Sequence, residues 1–333
     1  MTKNTKANLT LIFYISKRNV MLKTALEAIK KQKDKNFNLI FVLAGVSSID
    51  KEIFSKFDFS AISDVQHIIL SESLGDSYAF NYCLPKLKTK FAYCFDSNVI
   101  LHDNFVSTIN SFIAKHSDAD VISVYGVPNI YIKKEYVQVK TMADDFCIRP
   151  LMFFDNKILN VEYIKKNNIT QPAFKHYPVY FYILLFKAKP KWYSIGKQIC
   201  SGSVKKTYQF NTMDLYEQCN EIVKLLDEKP FSEHKDEIEY MVIIALLRNF
   251  LYTFFEINKG RFLTLRRILI KVNDFLKENF PKWQKNKWLT SKENLNTKEY
   301  LDYLINFKPR LFHAIKALNS EAFRIKNNNG KKN

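Results

Sequence analysis

Residues 74–98 read LGDSYAFNYCLPKLKTKFAYCFDSN, and this segment carries the strongest sequence evidence for the fold class. Gly75 precedes a helix-like segment that is disturbed at Pro85, and an uncharged run from Phe91 to Phe95 then leads into Asp96. An uncharged run of this length, rich in aromatic residues, is typical of a strand that is covered on both faces. A polar side chain directly after such a strand lies at the carboxyl edge of the sheet, where α/β folds bind ligands. The stretch therefore predicts an α/β fold with a site next to Asp96.

Strand-like and helix-like segments alternate on both sides of this stretch. The predicted strands are 9–15, 38–43, 66–70, 91–95 and 120–125, and the predicted helices are 19–32, 77–87 and 104–115. This alternation predicts a mostly parallel, Rossmann-like sheet with helices on both faces. We expect ligands at the loops that follow Ile15, Leu43, Leu70 and Phe95.

Downstream of this region the periodicity becomes helical. Apolar residues repeat at helical spacing in 215–226, 238–257 and 262–280. We therefore expect two domains, an α/β domain over 1–214 and a basic helical region over 215–333.

The composition excludes several classes of protein. Of 333 residues, 47% are apolar and 25% are charged, so a sizeable core is expected and whole-chain disorder is excluded. Only 7 residues are glycine, which excludes a collagen-like chain. The sequence contains no GxGxxG, HExxH or GxSxG motif.

Several pieces in fixed order carry a resemblance to a known family. They are ALEAIKKQ at 25–32, NFNLIFV at 36–42, LGDSYAFN at 74–81, FAYCFDSN at 91–98 and ILHDNF at 100–105. Together they resemble the nucleotide-sugar domain of family 2 glycosyltransferases, which have the GT-A fold. The resemblance covers about residues 8–125.

The resemblance implies a set of site residues and a cofactor. The donor-binding residues that it implies are Ser16, Lys17, Gly75, Ser77, Asn81 and Asp96. It also implies a divalent cation, Mg²⁺ or Mn²⁺, held by Asp96 and Asn98, which occupy the two ends of the family's DxD motif. Oxygen ligands suit such hard cations. The alternative for Asp96 is a turn or capping role between strand and helix.

The chain departs from the family at several positions. Asn98 replaces the second carboxylate of the DxD motif, and residues 44–47 read AGVS where the family has aspartates that hold the base of the nucleotide. Residues 163–213, where the resemblance implies the catalytic base, contain no Asp or Glu. His176 is the candidate base in this region, and Asp144 and Asp145 are candidates from upstream.

These residues support two functions of different classes. The first is a glycosyltransferase that moves a sugar from a nucleotide-sugar donor to a lipid or cell-surface glycan acceptor with the help of a metal ion. The second is a degenerate GT-A protein that binds a ligand or serves as a scaffold at a membrane surface without turnover. We expect no specific nucleic-acid partner, because the sequence contains no recognisable readout motif.

Charge, cysteines and apolar segments bear on location. The net charge is +18, and residues 259–333 hold 18 Lys and Arg against 6 Asp and Glu. This excess, with the apolar face of 262–280 and Trp283 and Trp288, predicts binding to an anionic membrane surface; the alternative is that this face packs on the first domain. The five cysteines lack metal-like spacing and predict reduced thiols in the cytoplasm. No apolar segment reaches the length of about 20 residues that a membrane-spanning helix needs.

Overall fold

The computed structural model describes residues 7–16, 21–45, 48–72, 75–124, 136–139, 157–170, 187–202, 213–229, 231–290 and 298–330. These residues form two compact units. The described residues up to Val139 and from Lys157 to Gly202 belong to the first unit, and those from Met213 onward belong to the second. The domain boundary at residue 214 stays a prediction, because residues 203–212 lie outside the described residues.

The first unit is built from ten strands and five helices among the described residues. Its strands are β1 Leu9–Ser16, β2 Asn38–Ala44, β3 Asp64–Leu70, β4 Phe91–Asp96, β5 Val99–Leu101, β6 Val121–Ser123, β7 Tyr136–Val139, β8 Lys157–Asn160, β9 Trp192–Ile195 and β10 Cys200–Gly202. Its helices are α1 Leu22–Lys30, α2 Ser48–Ser55, α3 Asp76–Cys83, α4 Phe105–Lys115 and α5 Val161–Lys166. The strands predicted from residues 9–125 are all present, with bounds that differ by at most two residues at either end.

Eight of these strands form one mixed sheet in the order β3-β2-β1-β4-β8-β6-β9-β7. The pairs β2–β3, β1–β2, β1–β4 and β6–β9 are parallel, whereas β8 pairs antiparallel with β4 and β6, and β7 with β9. The predicted α/β class with a mostly parallel sheet is confirmed. The order 3-2-1-4 reverses between β1 and β4, and such reversal points are where open α/β sheets bind ligands.

Aromatic packing fills the core of this unit. Phe13, Phe41, Phe91, Tyr93 and Phe95 are all fully buried or nearly so. The rings of Phe13 and Phe95 lie 5.1 Å apart, which joins β1 to β4 through their side chains. Rigid aromatic contacts of this kind fix the register of the two strands that flank the reversal point.

The buried side chain of Gln32 ties three segments together. Its Nε2 donates to the carbonyl oxygens of Ala28 at 3.0 Å and His102 at 2.8 Å, and its Oε1 accepts from the backbone N–H of Val106 at 3.0 Å. Val106 lies in the first turn of α4, where backbone donors lack partners within the helix. Gln32 therefore caps α4 from the end of α1.

The second unit is helical. Its helices are α6 Met213–Lys224, α7 Lys235–Ile244, α8 Leu251–Ile257, α9 Phe262–Asn279, α10 Lys298–Ile305 and α11 Leu311–Gly330. A π-helical segment, Ala245–Phe250, joins α7 to α8, so the helix predicted over 238–257 widens at its centre. By length and composition the helix Phe231–Ile257 could cross a membrane, but 78% of its most apolar window is buried in the structure, as in a core helix.

The structure corrects the role expected for the apolar face of α9. Leu265, Leu269, Val272 and Leu276 are buried, and so is Phe280 just after the helix. Phe262 alone of the predicted face is exposed. Trp283 is also buried and packs edge-on against Phe307 within this unit. This face serves the core and is not free to enter a membrane.

Candidate functional site

The candidate site lies at the carboxyl edge of the sheet, at the reversal between β1 and β4. Tyr14 and Asp96 are register partners on these two parallel strands. Side chains of register partners leave the sheet on the same face, so Tyr14 and Asp96 lie side by side. Ser16, two residues beyond Tyr14, ends β1 beside Ala44 of β2 and is half-buried.

The turn after β4 holds Asp96 in a defined orientation. Asp96 Oδ1 accepts a hydrogen bond from the backbone N–H of Asn98 at 2.8 Å, and Oδ2 accepts from Asn98 Nδ2 at 2.8 Å. Both residues are half-buried. Asp96 thus has the turn role that the sequence analysis gave as the alternative to cation binding. Its carboxylate is held in a fixed direction at the end of β4.

The short strand β5 holds the far side of this turn. It follows Asn98 directly and pairs antiparallel with β10, with Val99 opposite Gly202. Beyond β5, His102 Nε2 lies 2.9 Å from Ser201 Oγ, which ties the ends of the two strands. The Asp96–Asn98 turn is therefore anchored by the large sheet on one side and a two-stranded sheet on the other.

The glycine turn before α3 forms the other wall of the site. Gly75 has φ of 93°, a conformation that favours glycine, and its backbone N–H donates to the hydroxyl of Tyr14 at 3.1 Å. Ser77, which is buried, and Asn81, which is half-buried, are four residues apart on α3, so they lie on one side of the helix. Helix α3 packs against both β1 and β4.

The structure therefore brings together most of the predicted donor-binding residues that it describes. Tyr14 links Gly75 to Asp96, while Ser77 and Asn81 lie on the helix that Gly75 starts. Lys17, Asp144, Asp145 and His176 lie outside the described residues, so their roles stay predictions.

Two further residues at this edge of the sheet are not among the predicted site residues. Tyr14 falls inside the predicted strand 9–15. Lys157 begins β8, which runs antiparallel, so its position beside Ser123 of β6 is at the same edge as the end of β4. Lys157 is buried, with its Nζ 5.3 Å from the centre of the Trp192 ring. A lysine next to apolar residues, as at 157–159, indicates the end of a strand. It does not indicate the direction in which the strand runs.

The thiol nearest to this wall in sequence is not a nucleophile. Burial raises the pKa of Cys83, at the end of α3, to about 12, so the thiol stays protonated at neutral pH. Cys94, Cys200 and Cys219 are likewise buried, and none of these described cysteines forms a disulfide.

The described side chains fit a divalent cation only together with a substrate. Among the described residues, no group of three His, Cys, Asp or Glu side chains could hold a metal ion. Asp96 supplies one carboxylate, and the amide nitrogen of Asn98 faces that carboxylate. One carboxylate together with substrate phosphates is a common way of binding Mg²⁺. Asp96 would therefore hold such an ion when a nucleotide diphosphate completes its ligands.

The fold and the position of this site define a class, that of GT-A domains. The structure of S. aureus TarS residues 1–349 in complex with UDP-GlcNAc is similar to this chain with a TM-score of 0.67 and 15% identity, over 94% of this chain and 91% of that one. A second structure of the same TarS segment gives a TM-score of 0.65 at 15% identity, over 94% and 90%.

A third similar structure is the mannosyltransferase PcManGT from Pyrobaculum calidifontis in complex with GDP-Man and Mn²⁺. Its TM-score is 0.53 at 11% identity, over 95% of this chain and 88% of that one. No family model and no curated protein matches the sequence. At these identities the likeness shows the GT-A fold.

Proposed function

We propose that this protein is a glycosyltransferase that takes its sugar from a nucleotide-sugar donor. The observation that carries the proposal is the Tyr14–Gly75 hydrogen bond beside Asp96, at the sheet reversal of a GT-A fold. The similar structures bind UDP-GlcNAc in one case and GDP-Man with Mn²⁺ in another, which supports a donor of this class. Family 2 remains the subfamily that the sequence pieces favour.

The predicted donor-binding residues have separate roles in this proposal. Gly75 lets the backbone approach the donor closely because it carries no side chain. Ser77 and Asn81, on one side of α3, bind the donor, and so does Ser16 at the end of β1. Asp96 binds a divalent cation together with the donor diphosphate. When bound, that ion neutralises charge on the departing diphosphate. Lys17, five residues before α1, is proposed to add a further positive charge.

The acceptor side of the reaction rests on residues outside the described ones. We propose His176 as the group that takes the proton from the acceptor hydroxyl, with Asp144 and Asp145 as alternatives. A lipid or cell-surface glycan is the proposed acceptor. Among the described residues, Cys83, Cys94, Cys200 and Cys219 are buried and form no disulfide, which supports a reducing compartment, so we propose a cytoplasmic location.

The experiment measures the melting temperature of the protein with a panel of UDP- and GDP-sugars, in Mn²⁺ and in EDTA. A donor raises the melting temperature because it binds only the folded state. Turnover of that donor is then measured with lipid acceptors for the wild type and for His176→Ala, Asp144→Asn and Asp145→Asn. We expect one of these variants to lose turnover while it still binds the donor. Full turnover by all three would show that the base lies elsewhere.

One observation favours a second function. Asn98 stands where a second carboxylate is expected, and its amide is hydrogen-bonded to Asp96. A site with a single carboxylate suits a protein that binds a nucleotide sugar without transferring the sugar. Saturable donor binding with no turnover on any acceptor would favour this binding role over the enzyme.

A further inference from the structure

Three exposed apolar side chains cluster at the starts of α9 and α11. Phe262 is 56% exposed, Leu263 is 73% exposed and Phe312 is 75% exposed. The rings of Phe262 and Phe312 have centroids 6.5 Å apart, so the two helix starts present one surface. We call these three residues the Phe262 patch. Clustered apolar side chains of this size on a surface are typical of an interaction site.

The chain around the Phe262 patch is positively charged. Residues 257–273 contain five Lys or Arg and no Asp or Glu, and residues 303–320 contain three Lys or Arg and no Asp or Glu. Arg261, Arg266, Lys308 and Arg310 are exposed, and Lys259 is paired with Glu256 at 2.9 Å. Lys308, Arg310 and His313 also line a cavity of about 510 Å³ next to Phe312.

We propose that the Phe262 patch docks on an anionic phospholipid bilayer. Aromatic and leucine side chains enter the boundary between headgroups and acyl chains, while surrounding cations bind lipid phosphates. The exposed cations of these two stretches, which contain no acidic residue, complement a negative lipid surface. The proposal differs from the one made from sequence, because the starts of α9 and α11 contact the lipid and the buried face of α9 does not.

The proposal is independent of glycosyltransferase activity. A sheet-edge site can bind a nucleotide sugar whether or not the second unit contacts lipid. A failure of lipid binding would therefore leave the donor site in place, and a failure of donor binding would leave the lipid surface in place.

The test uses the full chain and sedimentation with vesicles of phosphatidylcholine, with and without phosphatidylglycerol. We expect binding only to vesicles with phosphatidylglycerol, and weaker binding at high salt because charge is screened. The variant Phe262→Ser/Leu263→Ser/Phe312→Ser should bind about tenfold or more weakly, since its apolar area for insertion is lost. These side chains are exposed, so its melting temperature should match that of the wild type.

Matched controls separate this surface from a general effect. Ile69, on β3, is 76% exposed, and Ile69→Ser should leave vesicle binding unchanged. Arg261→Glu/Arg310→Glu should weaken binding about tenfold or more, because each cation contributes separately. Lys88→Glu/Lys165→Glu makes the same change in net charge at exposed lysines of the first unit. This control should bind the vesicles more strongly than Arg261→Glu/Arg310→Glu does.

Two results would overturn the proposal. One is the absence of binding to phosphatidylglycerol vesicles by the wild type at low salt. The other is unchanged vesicle binding by the triple serine variant. Brominated lipids add a direct measurement, since they should quench a tryptophan placed by Phe312→Trp and leave one placed by Ile69→Trp unquenched.

Discussion

Tyr14 is the residue that joins the two halves of the candidate site. Its hydroxyl accepts the hydrogen bond of the Gly75 N–H, and its Cα partner in the sheet is Asp96. Both Tyr14 and Gly75 are buried, so the N–H of Gly75 is removed from water. A buried donor that loses its partner costs free energy, which gives Tyr14 a positioning role that can be measured.

Tyr14→Phe should lower the free energy of unfolding by about 1–3 kcal/mol, because the Gly75 N–H then lacks its acceptor. It should also weaken nucleotide-sugar binding, since the glycine turn is no longer held. Urea unfolding and donor titration measure the two effects. Tyr78→Phe on exposed α3 surface is the control and should change neither. Wild-type stability in Tyr14→Phe would show that the hydrogen bond does not hold the turn.

The side chain of Asn98 should decide how strongly a divalent cation binds beside Asp96. Asn98→Asp removes the hydrogen bond from Asn98 Nδ2 to Asp96 and places two carboxylates together. With EDTA its melting temperature should fall below that of the wild type, because like charges repel. With Mn²⁺ and a nucleotide it should rise more than the wild type, because hard cations favour charged oxygen ligands. Asn98→Ala should show only a lower melting temperature, without a larger rise in Mn²⁺. Equal responses to Mn²⁺ by the wild type, Asn98→Asp and Asn98→Ala would contradict an ion at Asp96.

Among the single elements, α1 is connected to α4 and to the segment after β5 by the hydrogen bonds of Gln32. The helix pattern of residues 25–32 predicts α1 and its final glutamine, but not that this side chain is buried and bonded to Val106 and His102. Such contacts join residues about 70 positions apart in the chain. Sequence periodicity is local and does not report them.

Gln32→Ala should lower the free energy of unfolding by about 2–3 kcal/mol, because the Val106 N–H and two carbonyls lose their partner. Gln32→Glu keeps an acceptor for Val106 but cannot donate to the carbonyls, so it should also destabilise the protein. Gln138→Ala, at an exposed position of β7, is the control, with an expected change within about 0.5 kcal/mol. A Gln32→Ala protein as stable as this control would mean that α4 is not capped by Gln32.

The features that the sequence predicts correctly also differ from one element to the next. Short motifs predict Gly75, Ser77, Asn81 and Asp96 as site residues. The structure places Gly75 and Asp96 at one edge of the sheet, and Ser77 and Asn81 on the helix that Gly75 starts. Lys157 was missed because its position depends on the direction of β8, which short apolar runs do not encode. The helix α9 was predicted correctly, but its periodicity could not tell a face buried in the protein from one that meets lipid.

At the scale of the whole molecule, the chain divides into a sheet unit and a helical unit. The described residues of the two units are separated in sequence between Gly202 and Met213, and the exposed turn from Asn258 to Arg261 connects α8 to α9. Proteases act first at segments between compact units and at exposed turns, so these two places are the expected early cleavage sites.

Limited digestion with chymotrypsin should therefore cut after Tyr208, Phe210 or Phe262 before it cuts within residues 7–124. Mass spectrometry of the early fragments identifies the cuts. Phe91, Tyr93 and Phe95 are internal controls, since they lie on a central strand and are buried. An early cut between Phe91 and Asp103 would be incompatible with the central position of β4 in this fold.

The central claim is that Asp96, at the sheet reversal, binds a nucleotide sugar through a divalent cation. Isothermal titration of the full chain with UDP- and GDP-sugars tests it most directly, with Mn²⁺ or EDTA, for the wild type and Asp96→Ala. We expect saturable binding of at least one donor to the wild type with Mn²⁺. That binding should be lost with EDTA and in Asp96→Ala, whose circular dichroism should match the wild type. Donor binding of equal affinity by a folded Asp96→Ala protein, or no binding of any donor by the wild type, would contradict it.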